Sequence, residues 1–468
     1  MQKHLILQTF VVCLVSPLLA QSPTEIQDRV DAVFAQYDRT NSPGCALGVI
    51  RDGEFIHKRG YGMANLEWGI ALSARSVFRI GSTSKQFTAA SVALLELEGK
   101  LSLDDEIQSF FPEIPRYPRP VTVRHLIHHT SGLCDYLTLM SLAGLRDDDF
   151  YTDAEVLEML ARQKEPNFPA GQEFLYSNSN YLLMAHLVER VSGQNLKDFA
   201  QEKIFDPLGM SQTHFHNDHT HLVPDRASGY RRSGKGFRIS MTTLGMIGDG
   251  GVFTSVQDLL HWDRNFYNDR LGGGKLVESM LRRGRLANGE ELRYAFALNL
   301  GTYRGLKTVR HGGAFVGFRA ELLRFPEEQF SVICLCNLAQ TNPSQLANQV
   351  ADIYLADRLA EPAQKEEARR REQSSSEAPS ALSGPRLREY LGEYLSEELA
   401  VTYFVKMEGG QLVVRVRSLP ARSLVVGQGS TAQLGRPRLR FERDGEGALT
   451  GFRLDAGRVK NLRFSKRQ

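Results

Sequence analysis

Short apolar runs broken by turn residues mark strands in two places far apart in the chain. Ala46 to Ile50, the turn Arg51–Asp52–Gly53 and Glu54 to Arg59 predict a hairpin. Leu306 to Arg310, Val316 to Phe325 and Phe330 to Cys336 predict a second β-rich cluster, followed by a helix from Pro343 to Asp357. A helix capped by Thr24 and running to Tyr37 precedes the first hairpin. Between the clusters, Ser82 to Leu97 is apolar nearly all round, the pattern of a buried central helix. Tyr181 to Val191 predicts another, closed by Gly193, and Thr254 or Ser255 with Asp258 has the form of a capping box opening a third. Early and late strands therefore belong to one antiparallel sheet flanked by helices, with an all-helical middle region packed against it, an α/β (α+β) architecture.

The composition changes abruptly from Glu361 to Gly384, where Glu, Arg, Gln, Ser, Ala and Pro predominate and Arg369–Arg370–Arg371 and Ser374–Ser375–Ser376 occur as runs. Such a segment cannot bury enough apolar surface to fold and reads as a solvated linker, residues 361–384. Beyond it, residues 385–468 carry repeated short strands with glycine turns, the pattern of a small all-β barrel or sandwich. At the other end, Lys3 and His4 precede an apolar run from Leu5 to Ala20, too short and proline-interrupted to span a bilayer. It reads as an export signal cleaved near Ala20–Gln21, leaving a main domain of residues 21–360 in the periplasm or outside the cell with no stable membrane insertion. Val12 before Cys13 disfavours lipid attachment.

Fifty-seven basic residues nearly balance 54 acidic ones, so the net charge of +3 gives no electrostatic case for nucleic acid and leaves small molecules or peptides as ligands. Nothing in the sequence sets the oligomeric state. Four cysteines survive cleavage, Cys45, Cys134, Cys334 and Cys336, too few to staple a chain of 468 residues. Cys334 and Cys336 fall on one face of a predicted buried strand, where packing accounts for them.

Three short segments carry candidate chemistry. Ser82–Thr83–Ser84–Lys85 opens the buried helix directly after Gly81. A lysine three residues on shares the serine's face and can reach its hydroxyl, and the helix N-terminus aims the Ser82 amide at a developing oxyanion. Alone the tetrapeptide is weak, since a serine there also simply caps a helix. Tyr176–Ser177–Asn178 follows Pro169–Ala170–Gly171 in an irregular segment, either as an ordinary turn or as a phenol and an amide presented to one cleft. A neighbouring ammonium from Lys85 would favour phenolate, fitting Tyr176 for proton transfer. His311–Gly312–Gly313 closes the strand Leu306 to Arg310; its glycines serve a turn or let a substrate backbone lie against the strand edge.

In this order and context the three segments resemble the serine β-lactamase, DD-peptidase and class C esterase superfamily, from about Val30 to Asp357. Phe78–Arg79–Ile80–Gly81, Leu126 to Leu133, Pro207–Leu208–Gly209–Met210 and Asp249–Gly250–Gly251–Val252 match as well. The resemblance implies a β-lactamase/transpeptidase-like fold. It also implies Ser82 as nucleophile, Lys85 and Tyr176 as its proton-transfer partners, and Asn178, His311 and Gly313 as substrate-binding residues. Ala314 would join Ser82 in the oxyanion hole, and no metal or cofactor is required. The sequence departs from penicillin-hydrolysing members at the third segment, where they carry Lys-Thr-Gly. His311 and Gly312 weaken the grip on a substrate carboxylate. Together with the C-terminal β-module, the pattern is similar to the D-aminopeptidase branch, implying small amides, D-residue peptides or esters and little penicillin hydrolysis.

Two other readings compete. His214–Phe215–His216–Asn217–Asp218–His219 matches a His-x-His-x-Asp-His metal motif, with His221, His261 and His311 as possible further ligands of a metal-dependent hydrolase. In metallo-hydrolases that motif follows a buried apolar strand, whereas here it follows the turn-like Pro207 to Thr213. His125 and His129 stand at helical spacing and read as packing. A penicillin-binding or sensor-like protein that acylates and stays acylated would carry the same three segments.

Overall fold

The early and late strands meet in one six-stranded antiparallel sheet. The computed structural model describes residues 22–146, 148–361, 385–427 and 430–467; the expected export signal (1–20) and all but the first residue of the expected linker lie outside the described residues. Strands β1 (Cys45–Arg51), β2 (Glu54–Tyr61), β3 (Asn299–Tyr303), β4 (Leu306–Phe315), β5 (Phe318–Phe325) and β6 (Phe330–Cys336) lie in the order β3-β4-β5-β6-β1-β2. β1 pairs with β6 from Cys45 opposite Cys336 to Arg51 opposite Phe330, tying the start of the main domain to its end. Every residue of β6 is buried, because helices cover both faces. On one side lie α1 (Pro23–Phe34) and the last helix of the domain, Pro343–Tyr354, whose Val30, Phe34, Leu346 and Val350 pack with Leu47, Val49 and Val332. On the other, Val256 and Trp262 of the helix Val256–Asn268 join Ala46, Ile50, Ile333 and Leu335 in the larger core. Burial on both faces explains why these strands read as unbroken apolar runs.

Several local expectations need correction. Ser22, not Thr24, caps α1: its hydroxyl accepts from the Glu25 amide while the Glu25 carboxylate accepts from the Ser22 amide, with Pro23 in the first helical turn, where no N–H is needed. Strand β4 does not stop at Arg310 but runs through His311–Gly312–Gly313 to Phe315, paired with β5 from Val309 to Phe315. The middle region is helical apart from short strand pairs, among them Phe78–Arg79 and His214–Phe215 on either side of Val252–Thr254. Cys336 is not merely packed. Antiparallel pairing sets it opposite Cys45, and the two form a disulfide; Cys334 remains a buried thiol with its sulfur 3.6 Å from that of Cys336.

The C-terminal residues form a nine-stranded antiparallel sheet: β7 (Gly392–Ser396), β8 (Val401–Glu408), β9 (Gln411–Arg415), β10 (Arg422–Ser423), β11 (Val425–Val426), β12 (Thr431–Gln433), β13 (Arg438–Arg443), β14 (Leu449–Ala456) and β15 (Val459–Lys466). Its order is β10-β9-β8-β7-β15-β14-β13-β12-β11, so the two edge strands are consecutive in sequence with only Leu424 between them, and the sheet curls almost into a barrel. Tyr394, Tyr403, Phe441, Phe452 and Phe464 stack through its interior. The lumen is thus a packed core. The barrel docks on the helical middle, where the buried Tyr403 hydroxyl donates to the Leu142 carbonyl at 2.7 Å. The carbonyl of Arg458, in the turn between β14 and β15, accepts from the Asn167 side chain at 3.0 Å and the Asp135 amide at 3.3 Å.

Candidate active site

Gly81, with φ +52, turns the chain into a single 3-10 turn, Gly81–Ser84, that leads directly into the helix α2 (Lys85–Leu97). Ser82 lies in that turn at the floor of a cleft of about 640 Å³, and Lys85 follows one turn later. Lys85 is fully buried, and its ammonium donates to Ser82 Oγ at 3.2 Å, Asn178 Oδ1 at 2.8 Å and the Asp249 carbonyl at 2.5 Å. Three acceptors satisfy three N–H donors, which is what allows a charge at this depth.

Asn178 begins the helix α3 (Asn178–Ser192), which Gly193 closes in the left-handed conformation. Its amide donates to Asp135 Oδ2 at 2.7 Å, and Asp135 in turn caps the helix Tyr136–Leu142. Tyr176, two residues earlier, stacks on the His129 ring with centroids 4.1 Å apart. The Lys85 ammonium and the Arg458 guanidinium each lie 4.9 Å from its ring centre. The Tyr176 hydroxyl is buried and has no hydrogen-bond partner among the described residues, a polar atom left over at the site.

His311 is brought to the same cleft by β4. Its Nδ1 lies 2.7 Å from the Gly312 carbonyl, which makes Nδ1 the protonated nitrogen and leaves Nε2 to accept from Tyr294 Oη at 3.3 Å. Tyr294 also meets His129 Nε2 at 3.2 Å, while His129 Nδ1 accepts from the Ser177 amide at 3.2 Å. Burial, reinforced by the charge of Lys85, pushes His311 down to about 4 and holds His129 well below the ordinary histidine range. Both imidazoles are neutral at pH 7, so His311 is a fixed hydrogen-bonding group there rather than a titrating one.

The glycines of this strand serve the protein's own packing. A Cβ on Gly313 would stand 1.9 Å from the Ile80 carbonyl oxygen, and one on Gly81 would stand 2.8 Å from the Ala314 nitrogen. Only glycine lets β4 lie this close to the nucleophile turn and sets the amide of Ala314 beside Gly81.

Ser82, Tyr176, Asn178, His311, Gly313 and Ala314 all line the one cleft, and Lys85 sits beneath Ser82. His129 is more than packing, since it shelves Tyr176 and links it through Tyr294 to His311. His125 closes a capping box with Thr122. Asp135, Tyr136, Tyr294 and Arg458 carry no local sequence signal and meet the site only through the fold. Asp249 stands in the matching stretch Asp249–Gly250–Gly251–Val252, and what it offers Lys85 is a backbone carbonyl. His214, His216 and His221 cluster with ring centres 5.5 to 6.2 Å apart, but none of them, nor His219, lines the cleft. Among the described residues the one group of three side chains with metal-ligating atoms mutually within 4.8 Å is Cys45, Cys334 and Cys336, and the disulfide occupies two of these.

A serine at a helix start, a buried lysine on its hydroxyl and a converging tyrosine and asparagine in a sheet-and-helix fold define a serine hydrolase. Residues 30–356 match the family model described as Beta-lactamase, and the chain belongs to that family. It is 28% identical over 421 residues to a D-aminopeptidase of Gluconobacter oxydans, covering 89% of this chain and 75% of the relative. Against a D-aminopeptidase of Cereibacter sphaeroides identity is 31% over 296 residues, 63% of this chain, and the match spans only 57% of the relative's length. The octameric penicillin-binding protein homologue from Pyrococcus abyssi shares the fold, with a TM-score of 0.63 at 23% identity over 95% of this chain and all of that one. Within its superfamily the chain thus falls on the D-aminopeptidase side.

Proposed function

We propose that the protein is an exported hydrolase that acts through an acyl-enzyme on Ser82, taking small amides, D-residue peptides or esters. The observation that carries this reading is the buried Lys85 ammonium bound at once to Ser82 Oγ and Asn178 Oδ1, beside a Tyr176 hydroxyl that has no hydrogen-bond partner among the described residues. Ser82 Oγ attacks the substrate carbonyl while its proton passes to the deprotonated member of the Lys85–Tyr176 pair, which shares one proton fewer than the ammonium and phenol together, and the amides of Ser82 and Ala314 receive the oxyanion. The proton then returns to the leaving nitrogen or oxygen as that bond breaks, and water releases the acyl group by the reverse route. The D-aminopeptidase relatives support D-amino acid amides and peptides as the substrate class. Penicillins are poor substrates on this reading, because neutral His311 and Gly312 offer no cation and no hydroxyl where the resemblance expects a carboxylate to be held. Export is supported by the apolar run Leu5 to Ala20 and by the disulfide Cys45–Cys336, which persists in oxidising compartments.

The test is intact-mass labelling with a fluorophosphonate beside a panel of D-amino-acid amides, D-dipeptides, short esters and a chromogenic cephalosporin. One phosphonyl group per chain, no label in Ser82→Ala and turnover of D-amides above the cephalosporin are expected. Activity that survives Ser82→Ala and disappears with EDTA would hand the chemistry to the histidine cluster. Stable acylation without turnover would make the protein a binder.

A further inference from the structure

The cleft contains a cation that the main domain does not supply. Arg458 stands in the turn between β14 and β15 of the barrel, and the hydrogen bonds from Asn167 and Asp135 to its carbonyl pin that turn against the cleft wall. Its guanidinium lies 4.9 Å from the Tyr176 ring centre, among the residues that line the cleft with Ser82.

The other cations of the cleft are engaged. Lys85 gives its protons to three acceptors. Arg319 donates to the Val316 and Phe318 carbonyls, and Arg79, only 6% exposed, donates from Nη2 to the Leu244 carbonyl at 3.4 Å while its buried Nε has no partner among the described residues. Arg458 is different: its guanidinium makes no hydrogen bond among the described residues. It forms a long ion pair with Asp135 Oδ2, 3.6 Å from Nη1, but that oxygen already accepts from the Asn178 amide at 2.7 Å, and Oδ1 takes both the amide and the hydroxyl of Thr138. The Arg458 side chain is 44% exposed, so its N–H fork is open to a ligand. A planar fork of donors held by its backbone and by an aromatic face is a receptor for a carboxylate.

The opposite wall is less suited to the same group: His311 is neutral, and the Glu321 carboxylate, whose Oε2 a Cβ on Gly312 would approach to 3.1 Å, is already paired with Arg310 and Ser344 behind the strand.

We propose that Arg458 is the anion receptor of this cleft, so that the C-terminal module selects substrates bearing a free carboxylate on the Tyr176–Asn178 side of the scissile bond. The proposal rests on the serine-hydrolase reading and narrows its substrate class. The carboxylate belongs either to the leaving group, as in a D-dipeptide with a free C-terminus, or to the acyl side chain, as in a D-glutamyl amide.

Two matched pairs separate these sources: a D-alanyl-D-amino acid against its C-terminal amide, and a D-glutamyl anilide against the D-glutaminyl one. For the pair in which Arg458 acts, the ratio of kcat/KM for the acidic member over its neutral twin should fall tenfold or more in Arg458→Gln and recover in part in Arg458→Lys. Calorimetric binding of the acidic member to Ser82→Ala, with and without Arg458→Gln, gives a readout independent of turnover and should show the same loss. Acid-to-neutral ratios within twofold of wild type for both pairs, or an equal loss on both members, would overturn the proposal, the latter by making Arg458 a support for Tyr176. Fluorophosphonate labelling of the wild type tests the parent reading separately: labelling with unchanged ratios sinks only the Arg458 assignment, and no labelling sinks both.

Discussion

Replacing Gly313 by alanine tests whether the closeness of β4 to the nucleophile turn matters to catalysis or only to packing. The added methyl would lie 1.9 Å from the Ile80 oxygen, 2.9 Å from the Ile80 carbonyl carbon and 2.9 Å from Thr83 Oγ1. Ordinary contact begins near 3.4 Å, so the strand must retreat by about 1.5 Å, and neither obstructing group of Ile80 can swing aside because both are backbone. Ala314 follows Gly313 directly, and its amide retreats with it. Losing one oxyanion donor costs about 100- to 1,000-fold in kcat, roughly 2.7–4 kcal/mol of transition-state stabilisation. The expected outcome for Gly313→Ala is therefore a fall in kcat of about 100-fold or more on a D-amino-acid amide, a smaller change in KM, and an intact circular-dichroism spectrum with a lowered Tm. Gly312→Ala is the milder comparison, since its methyl comes tighter than ordinary contact only to Glu321 Oε2, a side-chain atom at 3.1 Å, and stands 3.6 Å from the nearest backbone atom, the Ala320 oxygen. Steady-state kinetics on the two variants decides the matter. A Gly313→Ala enzyme within threefold of wild type would show that the Ala314 amide does not stabilise the oxyanion.

Two further outcomes follow from burial and covalent structure. His311, His125 and His128 are each held down to about 4, chiefly by burial, against 6.5 in the unfolded chain. Between those values the unfolded state binds more protons, so their contribution is complete above pH 6.5 and is lost as pH falls through 4. Tm should decline across that window, and less steeply in His311→Asn; equal slopes in calorimetry would refute the assignment. The Cys45–Cys336 bridge closes a span of 291 residues, and removing a native bridge costs about 2–5 kcal/mol. Urea unfolding of Cys45→Ser should show a correspondingly lower midpoint, and a midpoint equal to that of the oxidised wild type would refute a stabilising bridge.

What the chain determines by itself is what short-range physics can write into neighbouring residues. Ser82 and Lys85 share a face because a helical turn spans three to four residues, and the apolar surround of α2 declares its burial. The β1–β2 hairpin, the late strands, the glycine that ends α3 and the β-character of residues 385–468 are likewise local patterns. The limits of local pattern appear at Ser22, where the proline after it moved the cap two residues upstream, and at β4, where glycines that look like a turn continue a strand because Ile80 leaves room for nothing larger. Only the tertiary structure decides which distant groups meet. Lys85 finds Asn178 and the Asp249 carbonyl because α2 and α3 pack side by side, 93 positions apart in sequence at the first contact. His129, Tyr294 and His311 form one hydrogen-bonded row, and burial sets their charge state, which no spacing encodes. Cys45 meets Cys336 through the register of β1 on β6. Arg458 reaches the cleft because the barrel docks as a body, through contacts spread over the helical middle that leave no periodic trace in the sequence.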